Sequence, residues 1–128
     1  MKLPIVHESS IEALNLPGRD LRWVITKENA NSQHCTMCVI EVEPGQTVRP
    51  AHSHPNGEEI IYIVQGNGRV LIDGVVEPVT QGCAVLFPQG SIHVLQNSGN
   101  VQMKVACFFA PPADLSNYKF FDDIEFPA

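Results

Sequence analysis

Residues 45–66 read GQTVRPAHSHPNGEEIIYIVQG, and residues 82–97 read GCAVLFPQGSIHVLQN. Side chains two residues apart in a strand lie on the same face, so the rings of His52 and His54 share a face. Turn residues at 55–57 then reverse the chain, and a pair of glutamates begins the next strand. His93 comes from a later strand. Three imidazoles and one carboxylate that converge from three strands predict a site for a metal ion.

Short apolar runs separated by turn residues recur along the chain. Asp73-Gly74 followed by valines is typical of a hairpin, and no segment from 35 to 110 shows a sustained helical period. Strands in succession without helices predict an all-β protein, an antiparallel sandwich or barrel. With 128 residues, the chain is expected to form a single domain, 1–128. The predicted strands lie near residues 21–26, 35–43, 47–54, 59–65, 68–73, 84–87, 92–97 and 102–110.

Both ends of the chain are predicted to be less regular. Residues 1–20 form an arm with a short helical turn over 11–14, capped by Ser9 or Ser10, and residues 27–33 form a polar loop. The tail that follows Ala110 has little regular structure of its own. Its apolar rings are expected to pack back on the barrel or on a partner subunit. These aromatic residues are Tyr118, Phe120, Phe121 and Phe126.

Composition excludes several classes of partner. The formal net charge is -6, the pI is about 5.2, and lysine and arginine do not cluster, so nucleic acids and membranes are not expected as partners.

No stretch approaches the length of a membrane span, and the N-terminal apolar run is too short for a signal peptide, so a cytoplasmic location is expected. The four cysteines are then expected to be free thiols. Cys35 and Cys38 form a C-x-x-C, but they point to opposite faces of a strand.

The two quoted segments resemble the sequence motifs of the cupin superfamily. The second segment matches its motif, G-x5-P-x-G-x2-H-x3-N, at every fixed position. The first segment departs from its motif, G-x5-H-x-H-x3,4-E-x6-G, by one extra residue between Gly45 and His52, where the glycine serves a turn. The resemblance covers residues 45–97. It implies a double-stranded β-helix, the jelly-roll barrel of cupins, with a short N-terminal arm and an irregular C-terminal tail.

Two adjacent glutamates compete for the fourth ligand position that the resemblance implies. Both fit the spacing from His54, but only Glu59 leaves the six residues of the motif before Gly66. Neighbouring residues of a strand face opposite sides, so Glu58 is predicted to face outward. The predicted metal ligands are therefore His52, His54, Glu59 and His93.

The same alternation predicts which neighbours line the interior. Ile61 and Ile63 share the face of Glu59, and Leu95 shares the face of His93. Phe87 lies before the proline of the second motif, where it either lines the mouth of the barrel or belongs to the plain core. An apolar interior around one polar metal site suits a pocket for a small ligand.

The chemistry of the ligand set favours an open metal site. Three neutral imidazoles and one carboxylate leave a divalent ion with a net charge near +1, and a six-coordinate ion keeps positions for water or substrate. The resemblance implies Fe, Mn, Ni or Zn. It also implies a metal-dependent enzyme that acts on a small oxygenated metabolite (a sugar or sugar acid, a dicarbonyl or a phenolic) by dioxygenase, isomerase or lyase chemistry. The alternative is a non-catalytic protein in which the metal anchors a small, carbohydrate-like ligand.

Candidates for a catalytic group beyond the ligands are few. Glu58 and Tyr62 lie near the site in sequence, although strand parity turns Tyr62 away from the metal. His34 lies just before a strand that can approach the mouth of the barrel. The resemblance further implies a homodimer, in which the strand around Leu21–Thr26 or the aromatic tail covers a sheet edge of the neighbouring subunit.

Overall fold

The computed structural model describes residues 2–127, and most of their regular structure is β-strand. Among these residues the α-helix is α1 (Lys27–Ala30), and single turns of 3₁₀ helix span Glu8–Ser10 and Leu115–Asn117. The strands are β1 (Leu14–Leu16), β2 (Arg19–Ile25), β3 (Thr36–Val42), β4 (Ala51–Ser53), β5 (Glu58–Gln65), β6 (Asn67–Ile72), β7 (Val75–Thr80), β8 (Ala84–Phe87), β9 (His93–Asn97), β10 (Met103–Ala110) and β11 (Lys119–Phe121).

The strands form two antiparallel sheets that enclose the core. One sheet has the order β1-β2-β3-β10-β5-β8, and the other has the order β11-β4-β9-β6-β7. Strands far apart in the chain are neighbours in both sheets, as when β3 pairs with β10 and β4 with β9. This arrangement confirms the predicted all-β jelly roll.

Strand β5 shows how the sequence pattern determines which residues face the core and which face solvent. Its residues alternate between exposed and buried over most of its length. Glu59, Ile61 and Ile63 are buried, whereas Glu58 and Tyr62 are exposed. The predicted inward set on this strand is therefore confirmed, and Glu59 enters the space between the sheets.

Three strands were not predicted from the sequence. Strand β7 contains Pro78, which lacks an N–H for a sheet ladder; the strand tolerates it because β7 lies at the edge of its sheet. Strands β1 and β11 are each three residues long, and each is an edge strand of its sheet. Strand β11 lies at the edge opposite β7. In contrast, the strand predicted over 47–54 is shorter, since Thr47 makes only an isolated bridge with Gln96 before β4 begins.

The N-terminal third also differs from the expectation. The helical turn lies at Glu8–Ser10 rather than at 11–14, because the ring of His7 accepts a hydrogen bond from the backbone N–H of Ser9 and caps it. The polar loop contains the short helix α1, which begins at a reciprocal cap between Thr26 and Asn29. Local side-chain hydrogen bonds of this kind leave only a weak signal in the sequence, but they are sufficient to fix a single turn.

Within the described residues, β1 covers Leu21 alone of the strand around Leu21–Thr26. Strand β1 pairs with β2 and covers its first half, with Leu14 opposite Leu21. The expectation that this strand covers a sheet edge of a partner subunit stays a prediction for the residues after Leu21, which β1 does not cover. None of the helices described between residues 2 and 127 is long and apolar enough to cross a membrane.

Candidate metal centre

The five-stranded sheet supplies three histidines to one point between the sheets. Strand β4 pairs with β9 so that His52 lies opposite His93, and His54 follows the end of β4. Glu59, the second residue of β5, reaches the same point from the six-stranded sheet. All four side chains are buried, and their ligand atoms lie within 4.8 Å of one another. The fold thus brings together the four residues that the sequence predicts as metal ligands.

Backbone carbonyls orient two of the three imidazoles. His52 Nδ1 lies 3.1 Å from the carbonyl oxygen of Pro50, and His93 Nδ1 lies 3.1 Å from that of Ser91. A carbonyl oxygen only accepts, so the proton of each neutral ring is on Nδ1 and the lone pair is on Nε2. Hydrogen bonds of this kind fix the tautomer in which an imidazole binds a metal ion.

Glu59 is the centre of charge in the cluster. Its Oε1 lies 2.9 Å from His54 Nε2 and 3.2 Å from His93 Nε2. Burial alone would raise the pKa of Glu59, but the contacts with His54 and His93 lower it to about 2. The carboxylate is therefore ionised and buried, a state that needs a nearby positive charge.

His52 is held in its neutral form. Burial, reinforced by neighbouring His93, lowers the pKa of its ring to about 3. A neutral imidazole is the form that binds a metal ion. His54 differs from the other two histidines because its Nδ1 is buried without a hydrogen-bond partner among the described residues.

Aromatic rings form the walls of the cluster. Phe87 stacks on His93, with ring centres 3.9 Å apart and planes 4° apart. Tyr118 stacks on His52 at 4.8 Å and meets His54 edge-on at 4.4 Å. Phe109 contacts the other side of His54. These contacts hold the three imidazoles in place.

The cluster opens into a small cavity between the sheets. The cavity has a volume of about 30 Å³, roughly that of two water positions. Leu95 lines it as the alternation of its strand predicts, and Phe87, which the sequence placed either at the mouth or in the core, lines it and is almost fully buried. The remaining lining residues are Arg19, Leu21, Cys38, Ile40, Val48, His52, Glu59, Ile61, His93, Cys107, Phe109 and Tyr118.

The other candidates from the sequence lie outside this cavity. Glu58 faces outward, as predicted, and Tyr62 is 45% exposed on the outer face of the six-stranded sheet. His34 is exposed in the segment before β3. The structure brings none of these three residues to the cluster, because strand parity or chain position directs each of them to solvent.

Several cavity residues were missed from the sequence, and Arg19 and Tyr118 are the two that matter most for binding. Arg19 lies in the arm that was expected to be irregular, and Tyr118 lies in the aromatic tail. The tail was expected to pack on the barrel or on a partner, and it packs on its own barrel: β11 pairs with β4, and Phe121 and Phe126 cover the outer face of the five-stranded sheet. Burial raises the pKa of Tyr118 far above its usual value, so its hydroxyl stays protonated.

The residues present fit a divalent metal ion. Nε2 of His93 and Oε1 of Glu59 lie 3.2 Å apart, and both atoms can bind one cation when Nδ1 of the ring carries its proton. Ligand atoms on one ion, at about 2.0–2.2 Å, lie up to about 4.4 Å apart. The observed limit of 4.8 Å therefore requires only small movements of the side chains.

The cysteines do not compete for this role. All four thiols are free; Cys35 is exposed and Cys38 is buried, so the C-x-x-C does not act as a unit. Cys38 and Cys107 face each other across β3 and β10, and both border the cavity. The contact with Cys38, together with burial, raises the pKa of Cys107, which keeps its thiol protonated.

Comparisons with known proteins agree on one family. The family model described as "Cupin domain" matches residues 38–109. Among curated proteins, Protein SchB of Streptomyces halstedii is 31% identical over 96 residues, which is 75% of this chain and 69% of SchB. Both matches include every residue of the cluster.

Solved structures show the same fold at lower sequence identity. A predicted oxalate decarboxylase of Thermotoga maritima has a TM-score of 0.75 and 21% identity, over 84% of this chain and 98% of that one. The polyketide cyclase RemF of Streptomyces resistomycificus has a TM-score of 0.70 and 23% identity, over 86% of this chain and 79% of that one.

Proposed function

Because this chain belongs to the cupin domain family, we propose that it is a metal-dependent enzyme that acts on a small oxygenated metabolite. The candidate substrates are a sugar or sugar acid, a dicarbonyl and a phenolic, and the candidate reactions are those of a dioxygenase, an isomerase or a lyase. The observation that carries the proposal is the buried set of three imidazoles and one carboxylate at the end of a cavity. Similar solved structures that bear the names of enzymes support it.

The residues of the chain have distinct tasks in this proposal. His52, His54, Glu59 and His93 would hold the ion, which supplies a Lewis acid that polarises a bound oxygen atom of the substrate. Apolar side chains around the cluster exclude water and strengthen every charge interaction within it. The Tyr118 hydroxyl, which stays protonated, would donate a hydrogen bond to a substrate oxygen. Glu59 stays ionised and keeps the cluster negative enough to attract a divalent cation.

A non-catalytic binding protein is the second candidate. In that reading the metal anchors a small, carbohydrate-like ligand without turnover. The observation that favours it is the lining of the cavity: apart from the four cluster residues, the described lining contains no carboxylate and no histidine that could transfer a proton. General acid–base catalysis normally requires such a group near neutral pKa.

Turnover by the metal-loaded protein separates the two candidates. The protein would be loaded in turn with Fe(II) under argon, Mn, Ni and Zn, and each form incubated with pools of sugars, sugar acids, dicarbonyls and phenolics. Proton NMR would follow consumption, and an oxygen electrode would follow uptake by the iron form. The enzyme proposal expects consumption that Glu59→Gln abolishes and Glu58→Gln leaves unchanged. A ligand that raises the melting temperature but is never consumed would favour the binding protein.

The cytoplasmic location also stays a proposal. It is supported by the four cysteines, which are all free thiols although Cys38 and Cys107 are cross-strand neighbours. Neighbouring thiols of this kind persist more readily in a reducing compartment.

We further propose that the protein is a homodimer that buries the outer face of the six-stranded sheet. Strands β5, β8 and β10 expose an apolar row there, whose members are 41–49% exposed. The row is continuous, because Phe108 lies opposite Ile60 and Ile60 lies opposite Leu86. Exposed apolar patches on a sheet are typical of protein interfaces. The row consists of Ile60, Tyr62, Val64, Leu86 and Phe108.

A charge placed in this apolar row is expected to split the dimer. Phe108→Glu would put a carboxylate at the centre of the contact, where desolvation makes it costly. Light scattering coupled to gel filtration is expected to give the dimer mass for the wild type and the monomer mass for Phe108→Glu. Val101→Glu, a change at an equally exposed apolar residue outside the row, should leave the dimer intact. A monomeric wild type would disprove the assembly.

A further inference from the structure

Arg19 is a buried cation on the wall of the metal cavity. It begins β2, its relative exposure is 8%, and it lines the same cavity as Glu59 and His52. Both hydrogen bonds of its guanidinium start from Nη1, to the carbonyl oxygens of Pro17 at 3.1 Å and Arg49 at 2.9 Å. The other nitrogens, Nε and Nη2, make no hydrogen bond to a residue between 2 and 127. Two donor groups of a fixed guanidinium thus remain for a ligand.

Arg19 forms no ion pair with an acid of the described residues, and the acid that shares its cavity is bonded to other side chains. The ion pairs within residues 2–127 join other residues, and none includes Arg19. Glu59 is the one acidic group in the described lining of the cavity, and its Oε1 is already engaged by His54 and His93. Arginine is almost never buried without a partner, since the guanidinium keeps its charge and loses its hydration.

The nearby Arg22 shows the ordinary arrangement. It lies on the same strand, is about one quarter exposed, and forms an ion pair with Glu41 on β3. The two arginines are three residues apart, so they lie on opposite faces of β2. The strand therefore carries one arginine in an ion pair with the chain and one that faces the cavity without an ion pair among the described residues.

We propose that Arg19 binds the carboxylate group of a small organic acid. A further oxygen atom of that acid would reach the four-residue cluster. The proposal rests on the proposed function for the second contact, but the contact with Arg19 stands alone. A planar carboxylate matches the donors of a guanidinium, and the cavity volume of about 30 Å³ suits two oxygen atoms better than a phosphate. A divalent ion and the Glu59 carboxylate have a net charge near +1, and together with the charge of Arg19 they would balance one or two negative charges of a ligand.

A purely structural role would leave the ligand preference of the cavity unchanged. Nη1 already braces the segment around Pro17 against the segment around Arg49. If that were the whole role, an acid and its neutral amide would bind alike in the metal-free protein. Acetate and acetamide make this comparison, because they differ in charge but hardly in size.

NMR titration of the metal-free protein tests the contact directly. Sodium acetate is expected to shift the Nε–H resonance of Arg19 in the wild type, and acetamide is expected to leave it in place. The Nε–H resonance of Arg22 is the internal control and should not respond to either compound. Failure of saturating acetate to move the Arg19 resonance would overturn the proposal, and this readout needs neither metal nor turnover.

Variants then measure how much Arg19 contributes in the zinc-loaded protein. Calorimetry is expected to show acetate binding about 10- to 100-fold weaker in Arg19→Gln, as for a lost hydrogen bond to a charged group. Arg22→Gln should bind as the wild type does. Wild-type affinity in a folded Arg19→Gln would refute the assignment. If none of Fe(II), Mn, Ni and Zn binds, the proposed function fails, while the titration of the metal-free protein still decides whether Arg19 binds a carboxylate.

Discussion

Glu59→Gln is expected to remove the metal ion from the purified protein. The change keeps the size of the side chain but deletes the one negative charge in the described lining of the cavity. Loss of a group that only orients a metal ligand costs about 10- to 100-fold in affinity, and loss of a ligand should cost at least about 100-fold. Elemental mass spectrometry of protein purified without chelator should find about one ion per chain in the wild type and little in the variant.

The adjacent glutamate provides the matched control for this experiment. Glu58→Gln makes the same chemical change one residue away, on a side chain that is exposed. Its metal content should equal that of the wild type. His52→Ala should behave as Glu59→Gln does. A wild type that takes up no ion on reconstitution, or a Glu59→Gln protein that keeps its ion, would contradict the metal centre.

Gly18→Ala is expected to destabilise the fold more than an alanine at other glycine turns. Gly18 has a φ of +79°, and an added Cβ would lie 1.7 Å from the carbonyl oxygen of Thr47. Positive φ alone costs an alanine about 1–2 kcal/mol. The clash is with backbone, so the segments around Pro17 and Thr47 would have to separate, and we expect a total loss of about 3–5 kcal/mol. Urea unfolding followed by circular dichroism measures this free energy.

Alanine variants at two other glycines separate the cost of the steric clash from the cost of positive φ. Gly45 and Gly74 have φ values of +80° and +86°, and a Cβ at either position meets nothing within 4 Å. Gly45→Ala and Gly74→Ala should therefore lose only the about 1–2 kcal/mol of positive φ. Equal losses at Gly18 and Gly74 would show that the close approach of the two segments does not contribute to stability.

The ligand set could be predicted because it depends on short-range rules. Alternation along a strand fixed the face of His52 and His54, and the turn between them and Glu59 set where the next strand begins. The same alternation predicted that Ile61 and Leu95 are inside, as the structure confirms. These rules depend only on residues that are close together in the sequence, so they can be applied without knowledge of the fold.

The second half of the cavity depends on contacts between distant parts of the chain. Arg19 reaches it because two backbone carbonyls, one of them 30 residues away, hold its guanidinium. Tyr118 reaches it because β11 pairs with β4, and a strand of three residues has almost no periodicity to detect. Strand β7 was missed for a related reason, since Pro78 argues against a strand unless its place at a sheet edge is known.

The stacking of Tyr118 on His52 has a consequence for the speed of ligand exchange. The ring lies over the cluster, one residue before a three-residue edge strand, and the cavity beside it holds about two water molecules. A ligand that reached the cluster from the side of this ring would have to displace it, and its association would then fall below the diffusion limit. The same displacement would slow the departure of that ligand, so a brief incubation would report a weaker ligand than equilibrium does.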